Sequence, residues 1–341
     1  MQVRDAGPGE MEAILRQSHA VWSEGMALED YVAFNLEQRQ SPWGRARYRF
    51  LVAEESGRRV AALKLFTFPG ELDGRAITLA GLGAVFTLPS ARGRGVARAL
   101  VDATLPIARA GGADLALLMS EIGPDLYLRS GFEPIPALES GCLPYLPAPW
   151  AGEPVWLREE RDPATSVPGL RPFEPADLDA LVAIHEEAGR GQRFRLRRDP
   201  PAWEQTFLRS TLLRRYLKGR DDQVLVIEAE PRDGAASKVL AYVVLREVPG
   251  GLEWREHGAR LGAEERLVDL FWTAIARARR IGVNRIDAWQ FPAIVTTRRV
   301  YPIAVRPLRE PSIMLRRLDP EIPSPAFDSP EECRVSWLDL F

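Results

Sequence analysis

Gly83-Ala-Val-Phe-Thr-Leu-Pro-Ser-Ala-Arg-Gly-Arg-Gly-Val-Ala97 decides how this chain folds. Gly83 to Leu88 reads as the end of an apolar strand. A loop follows, Ser90-Ala-Arg92-Gly93-Arg94-Gly95-Val96-Ala97, and it opens directly into a helix. Glycines at 93 and 95 let backbone N–H groups converge on one point without a Cβ in the way. The first-turn N–H groups of a helix have no intrahelical partner, and the helix dipole favours negative charge there. Arg92 and Arg94 add charge-assisted donors. A pyrophosphate suits Arg92, Gly93, Arg94, Gly95, Val96 and Ala97. The same residues, taken alone, also read as a strand-to-helix turn with solvated arginines. No Lys-Ser/Thr pair follows the glycines and no G-x-G-x-x-G is present, which argues against a phosphate-binding NTPase loop and a dinucleotide fold.

Upstream, residues 8–40 carry helical spacing, broken at Ser41, Pro42 and Gly44. Tyr48–Ala53 and Val60–Phe66 read as a hairpin, and residues 76–88 as the next strand. Glycines inside that strand, at 81 and 83, fit either a bulge aimed at a reacting carbonyl or room for a large neighbour. Downstream, the helix is expected over 95–110, kinked or ended early by Pro106. A buried strand follows over 114–119. Residues 124–130 form a helical turn with Gly131 at its C′ position. The order of elements then repeats. Strands are expected at 169–173, 224–229, 240–248, 252–256 and 285–289, with helices at 176–189, 201–217 and 264–280.

The 341 residues fit two domains, and 46% hydrophobic with 27% charged residues is ordinary for a globular chain. The expected division is 1–145, a proline-rich linker at 146–167, 168–318, and a tail at 319–341. A net charge of −2 gives no reason to expect nucleic acid. Two cysteines and three scattered histidines lack metal-ligand spacing, so no metal is expected, and a reducing cytoplasm is the simpler home. No apolar run approaches a membrane span.

Arg92-x-x-Gly95-x-Ala97 after a strand and before a helix resembles the cofactor motif of the GNAT superfamily of N-acetyltransferases. Tyr127-Leu-Arg-Ser-Gly131-Phe132 resembles the motif that follows it. The resemblance implies a class of fold, α/β (α+β), with two tandem GNAT folds. Each would be a mixed, mostly antiparallel sheet flanked by helices, the second copy degenerate. It implies acetyl-CoA as co-substrate and a small-molecule amine as partner. The pantetheine arm would lie on the backbone of Val85, Phe86 and Thr87, and the pyrophosphate on residues 92–97. Tyr127 would protonate the departing thiolate, a role suited to a phenol with an ordinary pKa of about 10. The base stays open among Glu121, Glu54 and Glu55. Phe86-Thr87 and Ser120-Glu121-Ile122-Gly123-Pro124 are similar to a subgroup that includes fungal lysine N-acetyltransferases. The tandem arrangement resembles the enhanced intracellular survival family, which acetylates amines including aminoglycosides.

The second half departs from the pattern. Gly262-Ala-Glu264-Glu265 stands where the cradle should be, and Tyr301-Pro-Ile-Ala lacks the later glycine and phenylalanine. Two carboxylates suit the helix dipole themselves and would repel pyrophosphate. This half is expected to support the first rather than bind CoA. The tail ends Trp337-Leu-Asp339-Leu-Phe341, an apolar cluster expected to dock on the body. Docked between the halves, Asp339 or the terminal carboxylate of Phe341 would hold or deprotonate the amine.

Overall fold

The computed structural model describes the whole chain except residues 8, 145–166, 218–221, 230–237, 309–311, 337–338 and 340–341. The expected linker therefore falls almost wholly outside the described residues, and so do Trp337, Leu338, Leu340 and Phe341.

The first half begins with β1 (Gln2–Asp5), α1 (Glu10–Trp22), α2 (Leu28–Gln40) and α3 (Pro42–Arg47). Ser41-Pro42 ends α2 as expected, but it also starts α3. Ser41 Oγ accepts the Gly44 N–H at 2.8 Å while Pro42 occupies the first helical position, where no N–H is needed. Next come β2 (Tyr48–Glu55), β3 (Arg58–Leu72), β4 (Arg75–Thr87), α4 (Val96–Ala110), β5 (Leu115–Ser120), α5 (Asp125–Leu128), β6 (Glu133–Pro134) and β7 (Leu138–Cys142). α4 does not end early at Pro106. Its ring faces solvent, while Leu100, Val101, Thr104, Leu105 and Ala108 hold the opposite face against the sheet.

The second half supplies β8 (Leu170–Pro172), α6 (Leu178–Ala188), β9 (Phe194–Leu196), α7 (Pro200–Tyr216), β10 (Asp222–Glu228), β11 (Val239–Val248) and β12 (Gly251–Ala259). It continues with α8 (Arg266–Arg280), β13 (Ile286–Ala288), α9 (Ala293–Thr297), β14 (Ala304–Pro307), β15 (Ser312–Arg317) and β16 (Cys333–Arg334).

Two mixed sheets flanked by helices result, one for each of the two expected tandem folds. The first sheet runs β1-β2-β3-β4-β5-β15-β6, with β9 and β16 added beside β3. The second, from its far edge, runs β8-β10-β11-β12-β13-β7-β14. The sheets do not follow the expected boundaries at 145 and 168. β15 comes from the second half and pairs antiparallel with β5, Ser312 opposite Ser120. β7 comes from the first half and pairs antiparallel with β13, Cys142 opposite Ile286. The exchange is reciprocal, and the donated strand takes the same position in each sheet. Each is a short strand of five or six residues whose sequence does not name its neighbour, so pairing partners cannot be read from local pattern.

Helix α7 crosses over as well. Its Ala202, Leu212 and Leu213 pack with Met11, Leu15, Tyr31, Phe50 and Phe66 on one face of the first sheet. Ser41 Oγ also reaches Gln205 of α7 at 2.7 Å, and Arg47 pairs with Asp199 at its N-cap. α4 covers the opposite face with Val96, Leu100 and Leu105.

A buried network ties the tail to the second half. Arg198 pairs with Glu256 and, at 2.5 Å, with Asp339. Glu256 also accepts from Tyr242 Oη at 2.8 Å and meets His185 Nδ1 at 3.0 Å. Burial pushes the Glu256 carboxyl up, but the charge of Arg198 and the His185 contact outweigh it and hold the group well below the usual carboxylate range. Arg198→Met removes the main counter-charge of two buried carboxylates. The expected loss is about 3–5 kcal/mol of stability, read by urea denaturation at neutral pH. The depressed Glu256 pKa stabilises the wild type above the ordinary carboxylate pKa, and this contribution fades as pH falls through the acid range. Wild type and Arg198→Met should therefore converge in stability in acid.

Candidate active site

β4 and β5 run parallel with Leu79–Leu82 beside Leu115–Leu118, and their ladder stops there. Beyond it β4 continues to Thr87 paired only with β3, so its backbone edge toward β5 opens as a wedge. At the mouth of the wedge the β3–β4 register shifts between Ala62 and Lys64, with Lys64 opposite Gly83 and Ala62 opposite Phe86. The extra residue makes a bulge at Ala84, which has φ +45°, a left-handed value that is uncommon for a residue with a Cβ. Strain of this kind concentrates at functional sites.

Val85, Phe86 and Thr87 form the free edge, and the chain turns at Leu88 into the loop. Gly93 and Gly95 both sit left-handed, at φ +74° and +76°. Ala91 N–H bonds Leu88 O, and Ala99 N–H bonds Gly95 O. Between them, the N–H groups of residues 93 to 98 have no acceptor among the described residues. Six donors thus converge where α4 begins. Arg94 is tethered to Glu55 at 2.7 Å, and Arg92 Nε donates to Thr87 O at 3.2 Å, which folds both arginines over the loop. These features fit a pyrophosphate and a pantetheine arm.

Tyr127 is held by the turn that follows it. Phe132 N–H bonds Tyr127 O at 3.0 Å and Gly131 N–H bonds Leu128 O at 3.0 Å. This is a Schellman motif with Gly131 at φ +73°. It lets Phe132 fold back edge-on to the Tyr127 ring, 6.1 Å between centroids. The spacing Tyr-x-x-x-Gly-Phe is therefore a helix-ending device that fixes the phenol. Arg316 of the donated β15 bonds Ser130 O and lies beside Gly131, bracing the turn. Tyr127 shares one core cluster with Ala91 and Val96, and Val85 packs against it. Burial pushes its phenol up from its ordinary value, which keeps the proton on it at neutral pH.

The structure brings together residues 85–87, 92–97 and Tyr127. Glu121 lies exposed in the turn after β5, and Glu55 is committed to Arg94 and Glu54 to Arg4. Asp339 sits in the buried Arg198 network of the second half, also accepting from Ser336 N–H at 2.7 Å, and not in the cluster around Tyr127. Phe341 lies outside the described residues. Missed by sequence reasoning is Lys64, which stands opposite Gly83 and donates to Asn35 Oδ1 at 2.7 Å. A lysine amid the apolar run Val60–Phe66 was the available signal.

The second half repeats the geometry without the donors. Its β11–β12 register shifts at Arg255, and β12 parts from β13 after Trp254. A cavity of about 380 Å³ remains there, lined by His257, Trp289, Phe291 and Arg334 among others. At the start of α8, however, Gly262 N–H bonds Glu264, and Leu261 N–H bonds Glu187. Backbone carbonyls take the N–H groups of Arg266, Leu267 and Val268. Among the described residues no cluster of three His, Cys, Asp or Glu could hold a metal, and no helix is long and apolar enough to cross a membrane.

The family model described as "Acetyltransferase (GNAT) domain" matches residues 2–135. This half is a GNAT acetyltransferase domain. GNAT enzymes draw the acetyl group from acetyl-CoA and act on amines, so the GNAT domain makes this chain an acetyl-CoA-dependent N-acetyltransferase. Solved structures extend the likeness of fold over both halves of the chain. A GCN5-related N-acetyltransferase from Anabaena variabilis is 16% identical with a TM-score of 0.65, over 93% of this chain and 73% of that one. Eis1 from Mycobacterium abscessus is 16% identical with a TM-score of 0.58, over 94% and 74%. Saccharomyces cerevisiae N-myristoyltransferase with bound myristoyl-CoA is 11% identical with a TM-score of 0.55, over 92% and 82%. No curated protein sequence matches the chain.

Proposed function

We propose that the first half transfers an acetyl group from acetyl-CoA directly to the primary amine of a small molecule. The observation that carries this reading is the set of six unpaired N–H groups at residues 93–98, beside a bulged, half-free strand and a buried phenol. Acetyl-CoA supplies an activated thioester. The loop N–H groups bind its pyrophosphate, and the edge of Val85, Phe86 and Thr87 orients its pantetheine arm. The bulge at Ala84 turns a backbone N–H toward the wedge, where negative charge develops on the carbonyl oxygen. Tyr127 gives its proton to the leaving sulfur. Glu121, at the end of β5, takes the ammonium proton directly or through water.

A small acceptor is favoured because α7 packs over the sheet face that would otherwise be an open peptide groove. The test is thiol release from acetyl-CoA with panels of small amines and of peptides. Turnover on small amines is the expected result. Turnover on peptides alone replaces the acceptor class, and CoA binding without turnover on either panel overturns the enzymatic reading.

A further inference from the structure

The wedge of the second half stays open although its loop donors are taken. β12 pairs with β13 only over Leu252–Trp254 and runs on to Ala259 with no strand on that side. The cavity of about 380 Å³ at the split is lined from β12, the start of α8, α9 and the segment after β16. Leu267, Trp289 and Phe291, all buried, form its apolar wall. Its volume falls in the usual range of small-molecule sites, about 300–1,000 Å³. A half that served only as a brace would be more stable with this space filled, because interiors pack closely and a void forfeits contacts.

Three polar groups on the wall have hydrogen-bonding capacity that the described residues do not meet. The first is His257. Trp254 Nε1 can only donate, and it meets His257 Nδ1 at 3.0 Å. Burial lowers His257 to about 3, with the charge of Arg334 adding to it, so the ring is neutral. The ring proton therefore sits on Nε2, which has no acceptor among the described residues.

The second is Arg334. Its Nη1 donates to Ala188 O at 3.1 Å and its Nη2 to His257 O at 2.7 Å, so two backbone carbonyls fix the guanidinium against the edge of β12. Among the described residues it forms no ion pair. The acids on the cavity wall are committed elsewhere. Glu256 serves Tyr242, His185, Arg198 and Ser336. Glu187 is held by Arg260 at 3.1 Å and by Leu261 N–H, and Glu264 by Gly262 N–H. The third group is Gln192, whose Oε1 is buried without a partner. Turning the amide over would leave its NH2 in the same position, so either assignment leaves a buried polar end unsatisfied.

A fixed guanidinium without a counter-ion, a ring N–H and an amide beside an apolar wall match one carboxylate on an apolar body. A phosphate fits poorly. Backbone carbonyls take the first N–H groups of α8, and Glu187 and Glu264 line the same cavity and would repel a dianion.

We propose that the wedge of the second half is a separate ligand site for a small monocarboxylate with an aromatic or branched apolar body. Arg334 takes the carboxylate, and His257 Nε2–H and the Gln192 amide supply further hydrogen bonds. The site stands apart from acetyl transfer, so its readout is binding rather than turnover.

The experiment is calorimetry on the full chain with phenylacetate, indole-3-acetate and isovalerate, each beside its primary amide, and with benzylphosphonate. At least one acid should bind once per chain, about 10–10²-fold tighter than its amide, in line with the strength of charge-assisted hydrogen bonds. It should raise Tm, and saturating CoA should leave its binding in place. Arg334→Gln should bring the acid down to the level of its amide. Because Arg334 also holds two carbonyls, Ala293→Trp is the second variant. Ala293 is an exposed residue of the cavity wall at the start of α9, where an indole fills the space. This change should abolish binding of the acid and leave Tm and acetyl-CoA affinity at their wild-type values. Equal affinity for acid and amide, tighter binding of the phosphonate, loss of binding when CoA is added, or binding that survives Ala293→Trp overturns the proposal. So does a failure of every acid to bind at millimolar concentration.

Discussion

Tyr127→Phe lowers kcat by about 10²–10⁴-fold in the expected result, the usual contribution of a positioned proton donor. The fold survives the change. The Schellman turn uses the backbone of Tyr127, and the edge contact with Phe132 uses its ring, so neither depends on the hydroxyl. Acetyl-CoA affinity should stay within a few-fold of wild type by calorimetry. The pH–rate profile should also change shape, losing the limb that reports deprotonation of the phenol at high pH. A variant with unchanged single-turnover rate would remove Tyr127 from the reaction.

Gly95→Val is expected to abolish measurable acetyl-CoA binding. No atom stands within 4 Å of a Cβ built at Gly95, so the effect is not a clash. It comes from φ +76°, which a β-branched residue adopts only at a cost of about 1–2 kcal/mol or more. Relief of that strain rotates the peptide groups whose N–H donors form the cradle. Gly262→Val is the control. It sits at φ +82° with equally open space, and its loop donors are already taken by Glu187 and Glu264. It should leave acetyl-CoA binding unchanged, and the wild type should bind one CoA per chain. Two CoA per chain, or equal losses in the two variants, would contradict the assignment of the cofactor to the first half.

The parts of the site legible in the sequence are those written locally. Left-handed glycines at 93 and 95 and the turn from Tyr127 to Phe132 are each contained within a few residues, so spacing alone exposes them. The break at Ser41-Pro42-Gly44 was equally visible, although it serves as a helix start as well as a stop. Pro106 misleads because local propensity does not count the apolar face opposite it, whose packing against the sheet holds the helix through the proline. The donated strands, β9 and the crossing of α7 depend on pairing between residues more than 100 apart, on which composition is silent. Lys64 was hidden for the same reason, because its partner Asn35 lies on a separate helix. Asp339 pairs with Arg198, 141 residues earlier in the chain, and no local pattern announces a partner so distant.

Reciprocal donation of β7 and β15 has a consequence for how the molecule is made. The first sheet cannot receive the strand beside β5 until Arg317 has left the ribosome, long after β5 itself has done so. Until then β5 is an open edge beside the future active site, exposed to wrong pairing. Neither half should therefore mature as an independent fragment, whereas the two halves expressed together should find one another. The same dependence gives the second half a reason to persist after its cofactor cradle has closed. A lineage can lose the glycines and donors of that loop at no cost to the first half, but it cannot lose the strand that completes its neighbour's sheet and braces the turn bearing Tyr127.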